Sequence, residues 1–285
     1  MKIIRSIKEM TGFSQKLRIK GKTIGFVATM GALHQGHLSL IRQAAAENNI
    51  VVVSIFVNPI QFGLKEDYRR YPRNLRLDAR LCKREGADVI FFPDAQQMYT
   101  GNYKTYVIVQ DLSDVLCGKF RPGHFKGVAT VVTKLFNIVR PDIAYFGGKD
   151  AQQAIIIKKV VEDLNIPIRI KVMPTVREED GLAMSSRNAY LNKEERRDAT
   201  VLYQALILAK NLIKQGSVDS SGIIRKMRRL INKKKSACIQ YISVVKHKDL
   251  QPMDKIRGKV LIALSVWIGK TRLIDNMVIN SNMTS

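Results

Sequence analysis

Residues 50–56 read Ile-Val-Val-Val-Ser-Ile-Phe, an almost unbroken apolar run with the length of a single strand. A strand without alternation of apolar and polar residues is typical of a parallel sheet that helices cover on both faces. Shorter runs of similar texture occur at 23–27, 89–92 and 143–146, and each is followed by a longer mixed segment. This alternation predicts an α/β fold with a Rossmann-like, doubly wound parallel sheet.

The periodicity of the apolar residues also predicts the other helices and strands of the chain. It predicts helices over 38–48, 75–85, 129–139 and 152–164, and further strands over 105–109 and 168–172. After Pro174 the pattern changes to a long helix over 193–215, a basic helix over 223–235, and strands over 239–245, 259–264 and 272–278. We therefore expect a Rossmann-like domain of residues 1–174 and a smaller C-terminal α+β domain of residues 175–285.

The composition is that of a globular protein. The 285 residues are 46% hydrophobic and 25% charged, and the sequence contains no apolar run of membrane-spanning length. The N-terminus lacks the apolar core of a secretion signal, and the 3 cysteines lie far apart. We therefore expect a cytoplasmic protein with reduced thiols and no membrane association.

The net charge is high, because 48 Lys and Arg residues face 24 Asp and Glu residues, which gives +24. Such a balance is typical of proteins that bind nucleic acid or phosphate-bearing ligands. The densest basic stretches are 65–84, which begins with Lys65, and 225–235, and neither is interleaved with several aromatic side chains. We interpret both as solvated helix faces and expect no nucleic-acid partner. The alternative, an RNA-binding protein, predicts salt-dependent binding of RNA.

The strongest functional signal follows the first strand of the predicted sheet. Residues 29–37 read Thr-Met-Gly-Ala-Leu-His-Gln-Gly-His and open the next helix. At the carboxyl edge of a parallel strand, the N–H groups of a helix N-terminus suit a phosphate group. His34 and His37 fall on one side of the first helical turn, where their rings can stabilise a departing phosphate.

Two later segments carry further groups that suit phosphate. Residues 146–153 read Phe-Gly-Gly-Lys-Asp-Ala-Gln-Gln after a predicted strand, so that Lys149 suits a phosphate and Asp150 suits ribose hydroxyls. Asp150 could instead cap the following helix. Residues 183–187 read Ala-Met-Ser-Ser-Arg, and their hydroxyls and guanidinium can donate several hydrogen bonds to phosphate oxygens.

Neutral polar groups follow the apolar run at 50–56. Asn58 and Gln61 flank a proline in an apolar stretch, where amides suit a hydroxyl or carboxylate in a dry pocket or simply build a turn. Residues 121–128 read Arg-Pro-Gly-His-Phe-Lys-Gly-Val, and either bind a carboxylate or cap the helix that follows. The sequence leaves both questions open.

These segments together resemble the pantoate–β-alanine ligase (pantothenate synthetase) family of the H-x-G-H nucleotidylyltransferase superfamily. The resemblance covers nearly the whole chain and is carried by residues 29–37, 53–62, 121–128, 134–138, 146–153, 181–188 and 272–276. It implies a two-step ligase reaction of the pathway to coenzyme A. D-pantoate and ATP form pantoyl adenylate and pyrophosphate, and β-alanine then converts the adenylate to pantothenate and AMP.

The resemblance also implies roles for individual residues. The ATP site would comprise Met30, Gly31, Ala32, Leu33, His34, Gln35, Gly36, His37, Gly147, Gly148, Lys149, Asp150, Val176, Met184, Ser185, Ser186 and Arg187. Gln61 and Gln153 would hold pantoate, and Gln61 would also reach β-alanine. The catalytic residues would be His34, His37, Lys149 and Arg187, with His37 as the proton donor.

Mg²⁺ would accompany the triphosphate, with ligands that the sequence does not identify, and the family resemblance implies a homodimer. Three positions depart from the usual family pattern, because Ala28, Gly148 and Ala151 replace a proline, a glutamate and an aromatic residue. A different nucleotidylyltransferase with a phosphorylated acceptor is a further alternative. It would need more cations near the acceptor than the neutral Gln61 and Gln153 provide.

Overall fold

The computed structural model of the chain describes residues 1–63 and 66–281. Lys65, the first residue of the basic stretch 65–84, therefore lies outside the described residues. Main-chain contacts divide the described chain into two units. The first consists of Met1–Asp114, Gly118–Gly148 and Gln153–Pro174, and the second of Val115–Cys117, Lys149–Gln152 and the described residues from Thr175 onward.

The described part of the first unit is built on a six-stranded parallel sheet. Its strands are β1 (Lys2–Ile4), β2 (Ile24–Thr29), β3 (Ile50–Ile55), β4 (Val89–Phe91), β5 (Ile143–Gly147) and β6 (Arg169–Met173). They lie in the order β1-β4-β3-β2-β5-β6, and each pair of neighbours runs parallel. The chain order reverses at β2 and β5, and open α/β sheets bind ligands at such a point, outside the carboxyl ends of the strands.

The helices of the chain up to residue 163 confirm the predicted doubly wound arrangement. They are α1 (Ile7–Ile19), α2 (Gln35–Glu47), α3 (Leu75–Arg84), α4 (Ala95–Met98), α5 (Cys117–Phe120), α6 (His124–Val139) and α7 (Ala151–Asp163). Phe26 of β2 and Val53 of β3 are fully buried, as expected for strands covered on both faces.

The strand predicted over 105–109 is wrong, because this segment forms no ladder. The N–H of Val107 donates to the side-chain Oγ1 of Thr130 in α6, at 3.0 Å, instead of to another strand. Tyr106 and Ile108 are exposed, so their β propensity is not supported by packing on a neighbouring strand.

The second unit contains an antiparallel sheet and a helical layer, as predicted for the C-terminal region. The strands β7 (Ala237–Lys246), β8 (Lys259–Ile268) and β9 (Thr271–Asn280) lie in chain order, and the helices are α8 (Lys193–Ala199), α9 (Val201–Lys214) and α10 (Ser220–Ile231). Leu264 of β8, Leu206 of α9 and Met227 of α10 share one buried cluster. The single helix predicted over 193–215 is wrong, because Thr200 separates α8 from α9.

Thr200 marks this break through its side chain. Its Oγ1 donates to the carbonyl of Arg197 at 2.8 Å, a local bond that competes with continued helical hydrogen bonding. Along the described residues, no helix combines the length and the apolar character needed to cross a membrane.

Gly127 of α6 provides a test of how closely this helix packs on the turn at Pro59–Gln61. A Cβ at this position would lie 2.5 Å from the carbonyl oxygen of Ile60 and 2.6 Å from Cα of Gln61, which are backbone atoms with little freedom to move. We expect Gly127→Ala to lower the free energy of unfolding by about 1–3 kcal/mol, because it overpacks this contact. Urea denaturation would measure the change.

Gly12→Ala in α1 is the matched control, because a Cβ there would meet no atom within 4 Å. Alanine is the better helix former, so this substitution should stabilise the protein by about 0.5–1 kcal/mol. Equal effects of the two substitutions would contradict the close contact at Gly127.

Candidate active site

The turn that follows β2 has a strained backbone. Gly31 has φ of 82° and Ala32 has φ of 51°, so two consecutive residues lie in the left-handed region. A Cβ on Gly31 would lie 2.9 Å from Oδ2 of Asp78, so the turn requires glycine at this position. An alanine in this region costs on the order of 1–2 kcal/mol, so neighbouring groups must hold Ala32 there.

Asp78 of α3 supplies that support. Its Oδ2 accepts a hydrogen bond from the N–H of Ala32 at 3.0 Å, and its Oδ1 accepts one from the N–H of Leu33 at 2.9 Å. The residue is only 1% exposed. Burial raises the pKa of this carboxyl above its ordinary value, and the two N–H donors partly oppose that effect.

Asp78 is a residue of the candidate site that sequence reasoning missed. It falls inside the basic stretch 65–84, which its charge pattern favours as a solvated helix face. The available signal was an acidic residue in the first turn of a predicted helix. That signal could not reveal the partner, because the contact joins residues 46 positions apart.

His34 and His37 lie at the start of α2, and the structure brings them together as predicted. Nδ1 of His34 accepts from the N–H of Gly36 at 3.1 Å, and Nδ1 of His37 accepts from the N–H of His34 at 3.4 Å. A backbone N–H can only donate, so the neutral form of each ring carries its proton on Nε2. The ring centroids are 4.1 Å apart. The two rings thus lie together at a helix N-terminus, a place suited to anionic oxygens.

Gln61 lies in the short 3₁₀ turn Pro59–Gln61 that follows β3. Its Nε2 donates to Sδ of Met30 at 3.2 Å, so the structure joins a predicted pantoate residue to a predicted ATP residue. The two side chains meet because β2 and β3 are parallel neighbours whose carboxyl ends lie side by side.

The segment 121–128 contacts the backbone of this turn. Nδ1 of His124 lies 2.8 Å from the carbonyl oxygen of Gln61, so His124 donates from Nδ1. Nε2 of the same ring lies 2.9 Å from Nη1 of Arg121, whose Nε and Nη2 donate to the carboxylate of Glu66 at 2.7 and 2.5 Å. Burial tends to raise the pKa of Glu66, but the Arg121 guanidinium outweighs it and the pKa is lowered. The carboxylate that Arg121 holds is therefore one of the protein's own.

The two adjacent glutamines of α7 have different environments. Gln152 is buried, and it accepts from the N–H of Cys117 at 3.0 Å and donates to the carbonyl of Val115 at 2.7 Å. Gln153 is half-buried. Gln152 thus has a structural role, which is consistent with the choice of Gln153 as the pantoate residue.

Lys149 lies in the 3₁₀ turn Gly148–Asp150, which follows Gly147 at the end of β5. Its Nζ is 3.6 Å from Oδ1 of Asp150. Its carbonyl oxygen accepts from Nδ2 of Asn276 in β9 at 2.7 Å. Asn276 therefore fixes the backbone of the predicted catalytic lysine.

Residues 176–184 form a hairpin in which the N–H of Met184 donates to the carbonyl of Val176 at 3.0 Å. The Arg177 guanidinium fastens this hairpin to the buried Asp275 of β9 through hydrogen bonds of 2.7 and 3.0 Å. Ser185 caps the following 3₁₀ turn, Ser186–Tyr190, by accepting from the N–H of Arg187 at 3.3 Å. Sequence reasoning assigned no role to Arg177, Asp275 or Asn276, although the last two lie in a segment that carries the family resemblance.

The described residues, 1–63 and 66–281, contain no group of three or more His, Cys, Asp or Glu side chains that could hold a metal ion. Three of the other predicted ATP residues lie at the starts of helical elements and one directly before such a start. Leu33 precedes the cap of α2, Gln35 and Gly36 are its first residues, and Ser186 opens its 3₁₀ turn.

Comparisons with known proteins identify the family of the chain. The sequence model of the family described as pantoate-beta-alanine ligase matches residues 2–278. A pantothenate synthetase of Caldicellulosiruptor saccharolyticus is 55% identical over 279 residues, which cover 98% of this chain and 99% of that relative. A second, from Thermotoga petrophila, is 52% identical over 279 residues, 98% of this chain and 100% of the relative.

Solved structures give the same result. The pantothenate synthetase from Thermus thermophilus matches with a TM-score of 0.92 and 39% identity, covering 97% of this chain and 99% of that one. The pantoate-beta-alanine ligase from Francisella tularensis, complexed with beta-gamma ATP and beta-alanine, matches with a TM-score of 0.81 and 36% identity over 100% of both chains. The chain belongs to the pantoate–β-alanine ligase family.

Proposed function

We propose that this chain joins D-pantoate to β-alanine with ATP, through a pantoyl-adenylate intermediate, and releases pantothenate, AMP and pyrophosphate. The observation that carries the proposal is the histidine pair, His34 and His37, whose ring centroids lie 4.1 Å apart at the N-terminus of α2. The uncharged amide of Gln61, close to Met30, favours an unphosphorylated acid as the acceptor.

In the first step, a carboxylate oxygen of pantoate attacks the α-phosphorus of ATP and pyrophosphate leaves. Negative charge grows on the oxygen that bridges the α- and β-phosphorus atoms. We assign the stabilisation of this charge to His34, His37, Lys149 and Arg187, with His37 as the proton donor to the departing group. Fixed donors are effective here because they need no reorganisation as the charge develops.

In the second step, the amine of β-alanine attacks the acyl carbon of the adenylate, and AMP leaves with both electrons of the acyl–oxygen bond. The amine loses a proton as the amide forms. No covalent enzyme intermediate is needed, because holding the two reactants together supplies much of the rate. Gln61 and Gln153 hold pantoate in this scheme, and Gln61 also contacts β-alanine.

The ATP contacts of the proposal are those of residues 30–37, 147–150, 176 and 184–187. Mg²⁺ enters with the nucleotide as part of the substrate, with ligands drawn mainly from phosphate oxygens and water. We further propose that residues 1–174 bind nucleotide and pantoate, that residues 175–285 act as a lid, and that the protein is a cytoplasmic homodimer. These last points are supported by the family resemblance.

His37→Ala tests the proposed site. The purified protein is incubated with ATP, Mg²⁺ and D-pantoate, with and without β-alanine, while pyrophosphate release is followed and pantothenate is detected by mass spectrometry. Loss of one preorganised donor should reduce kcat by about 10²–10³. His247→Ala, which removes a histidine outside the motif, should leave kcat unchanged. A folded wild-type protein that makes no pantothenate would refute the proposed function.

Asp78→Asn tests the support of the turn at Gly31 and Ala32. The introduced amide keeps one acceptor and turns an NH₂ group toward the other backbone N–H, so the turn should loosen and the KM for ATP should rise about tenfold, which is roughly the loss of one hydrogen bond to a charged group. Steady-state kinetics at saturating pantoate would measure it.

Asp88→Asn is the matched control, because the Asp88 carboxylate also accepts a backbone N–H, that of Val51 at 2.9 Å, at the opposite end of the sheet. It should lower stability without changing the KM for ATP. A similar KM change in both variants would show that the effect comes from general destabilisation.

A further inference from the structure

The side chain of Asn58 is fixed by a backbone atom. Its Nδ2 lies 3.1 Å from the carbonyl oxygen of Gly127 in α6. A carbonyl oxygen can only accept, so the amide nitrogen of Asn58, and not its oxygen, must face Gly127. Asn58 is 1% exposed, so solvent offers no alternative partner that would let the amide reverse.

This orientation determines the other two contacts of Asn58. Its Oδ1 accepts from the hydroxyl of Tyr99 at 2.8 Å. The second hydrogen of Nδ2 is directed at Oε1 of Gln61, at 2.9 Å. The buried amide therefore makes three hydrogen bonds, and each has a defined direction.

The direction of the last bond decides what Gln61 presents to a ligand. Because Oε1 accepts from Asn58, the Nε2 group must point the other way, where its contact is Sδ of Met30 at 3.2 Å. A thioether is a weak acceptor, which an oxygen of a ligand readily replaces. Gln61 is thus held as a donor, suited to a carboxylate or hydroxyl oxygen and unsuited to an ammonium group.

Tyr99 lies at the far end of this chain of bonds. Its ring packs against Phe56 at 6.2 Å and Tyr103 at 5.0 Å between centroids. Burial raises the pKa of its phenol, with smaller contributions from Tyr103 and Tyr106, so the hydroxyl stays protonated and remains a donor at neutral pH. The hydroxyl can serve Asn58 Oδ1 only as a donor, which matches the orientation that Gly127 imposes.

We propose that Tyr99 is a positioning residue for the acid substrate, which acts through Asn58 to hold the Gln61 amide with its NH₂ group toward an oxygen of that substrate. The proposal rests on the proposed function in one respect, the assignment of Gln61 to pantoate. Tyr99 itself touches neither ATP nor pantoate in this scheme.

Tyr99→Phe tests the proposal with the full-length enzyme. Without the hydroxyl, Oδ1 of Asn58 is left buried without its donor, and the orientation of the Gln61 amide is less strongly held. The KM for D-pantoate should rise about tenfold, which is roughly the loss of one hydrogen bond between the Gln61 amide and a charged group of the substrate, while the KM for ATP changes less than about twofold. Tyr103→Phe is the matched control, because it removes a hydroxyl from the adjoining ring, and it should leave both values unchanged.

A double-mutant cycle shows whether Tyr99 acts through Gln61. Gln61→Ala removes the amide, so adding Tyr99→Phe to it should cause no further rise in the KM for pantoate. A further rise of the same size, an equal effect of Tyr103→Phe, or an unchanged KM in Tyr99→Phe would each overturn the proposal.

Gln61→Glu provides an independent variant of nearly the same shape, which keeps the inference testable if Tyr99→Phe folds poorly. One carboxylate oxygen can still accept from Asn58, but the other replaces the NH₂ donor with an acceptor. The KM for pantoate should rise at least as much as in Gln61→Ala, and a value equal to that of the wild type would overturn the donor assignment. Wild-type turnover in the same assay separates failure of this inference from failure of the proposed function.

Discussion

The carboxylate of Asp78, which binds the N–H groups of Ala32 and Leu33, is the interaction on which the turn between β2 and α2 depends. The turn it holds is too tight for a favourable backbone, because Gly31 and Ala32 both have positive φ. A turn of this kind is needed to pass from the end of β2 to the cap of α2 within a few residues, so that the helix N-terminus starts at the sheet edge. The backbone strain of the turn persists because the buried carboxylate holds the two residues in place.

Side chains of one strand hold two turns of the second unit in a similar way. β9 contributes Asp275 to the guanidinium of Arg177 and Asn276 to the carbonyl of Lys149, so one strand fixes both the hairpin 176–184 and the lysine turn. In each unit several of the residues expected to meet ATP lie on short turns. Their geometry is set by side chains from regular elements, because strands and helices hold a position more firmly than turns do.

Much of the fold follows from local pattern. The continuous apolar runs of β2, β3 and β5 indicate buried parallel strands, because they are short, rich in β-branched residues and apolar on both faces. Edge elements were harder to predict. β1 has only three residues, and α1 was not predicted, although Ser6 caps it by accepting from the N–H of Glu9, which is the Ser-x-x-Glu spacing of a helix start.

In the candidate site, too, residues marked by a local pattern were predicted and residues that act through distant contacts were not. His34 and His37 could be found because their spacing alone places them on one helical turn. Asp78, Asn276 and Tyr99 could not, because each acts on a residue far away in sequence, and single-sequence patterns contain no information about such pairs. The break at Thr200 and the failed strand at 105–109 have a related origin, since side-chain bonds to the backbone replaced the regular ladder in both places.

The carbonyl of Gly127 has a consequence for any attempt to give the enzyme a new acid. It sets the direction of the hydrogen bonds at Asn58 and Gln61, and because it belongs to the main chain, no substitution at positions 58, 61 or 99 removes it. In a library that varies Gln61 alone, Nδ2 of Asn58 still points at position 61 and still needs a hydrogen-bond acceptor there. Recognition of an amine at this place requires positions 58, 61 and 99 to be varied together, so that the whole hydrogen-bonded set can reverse.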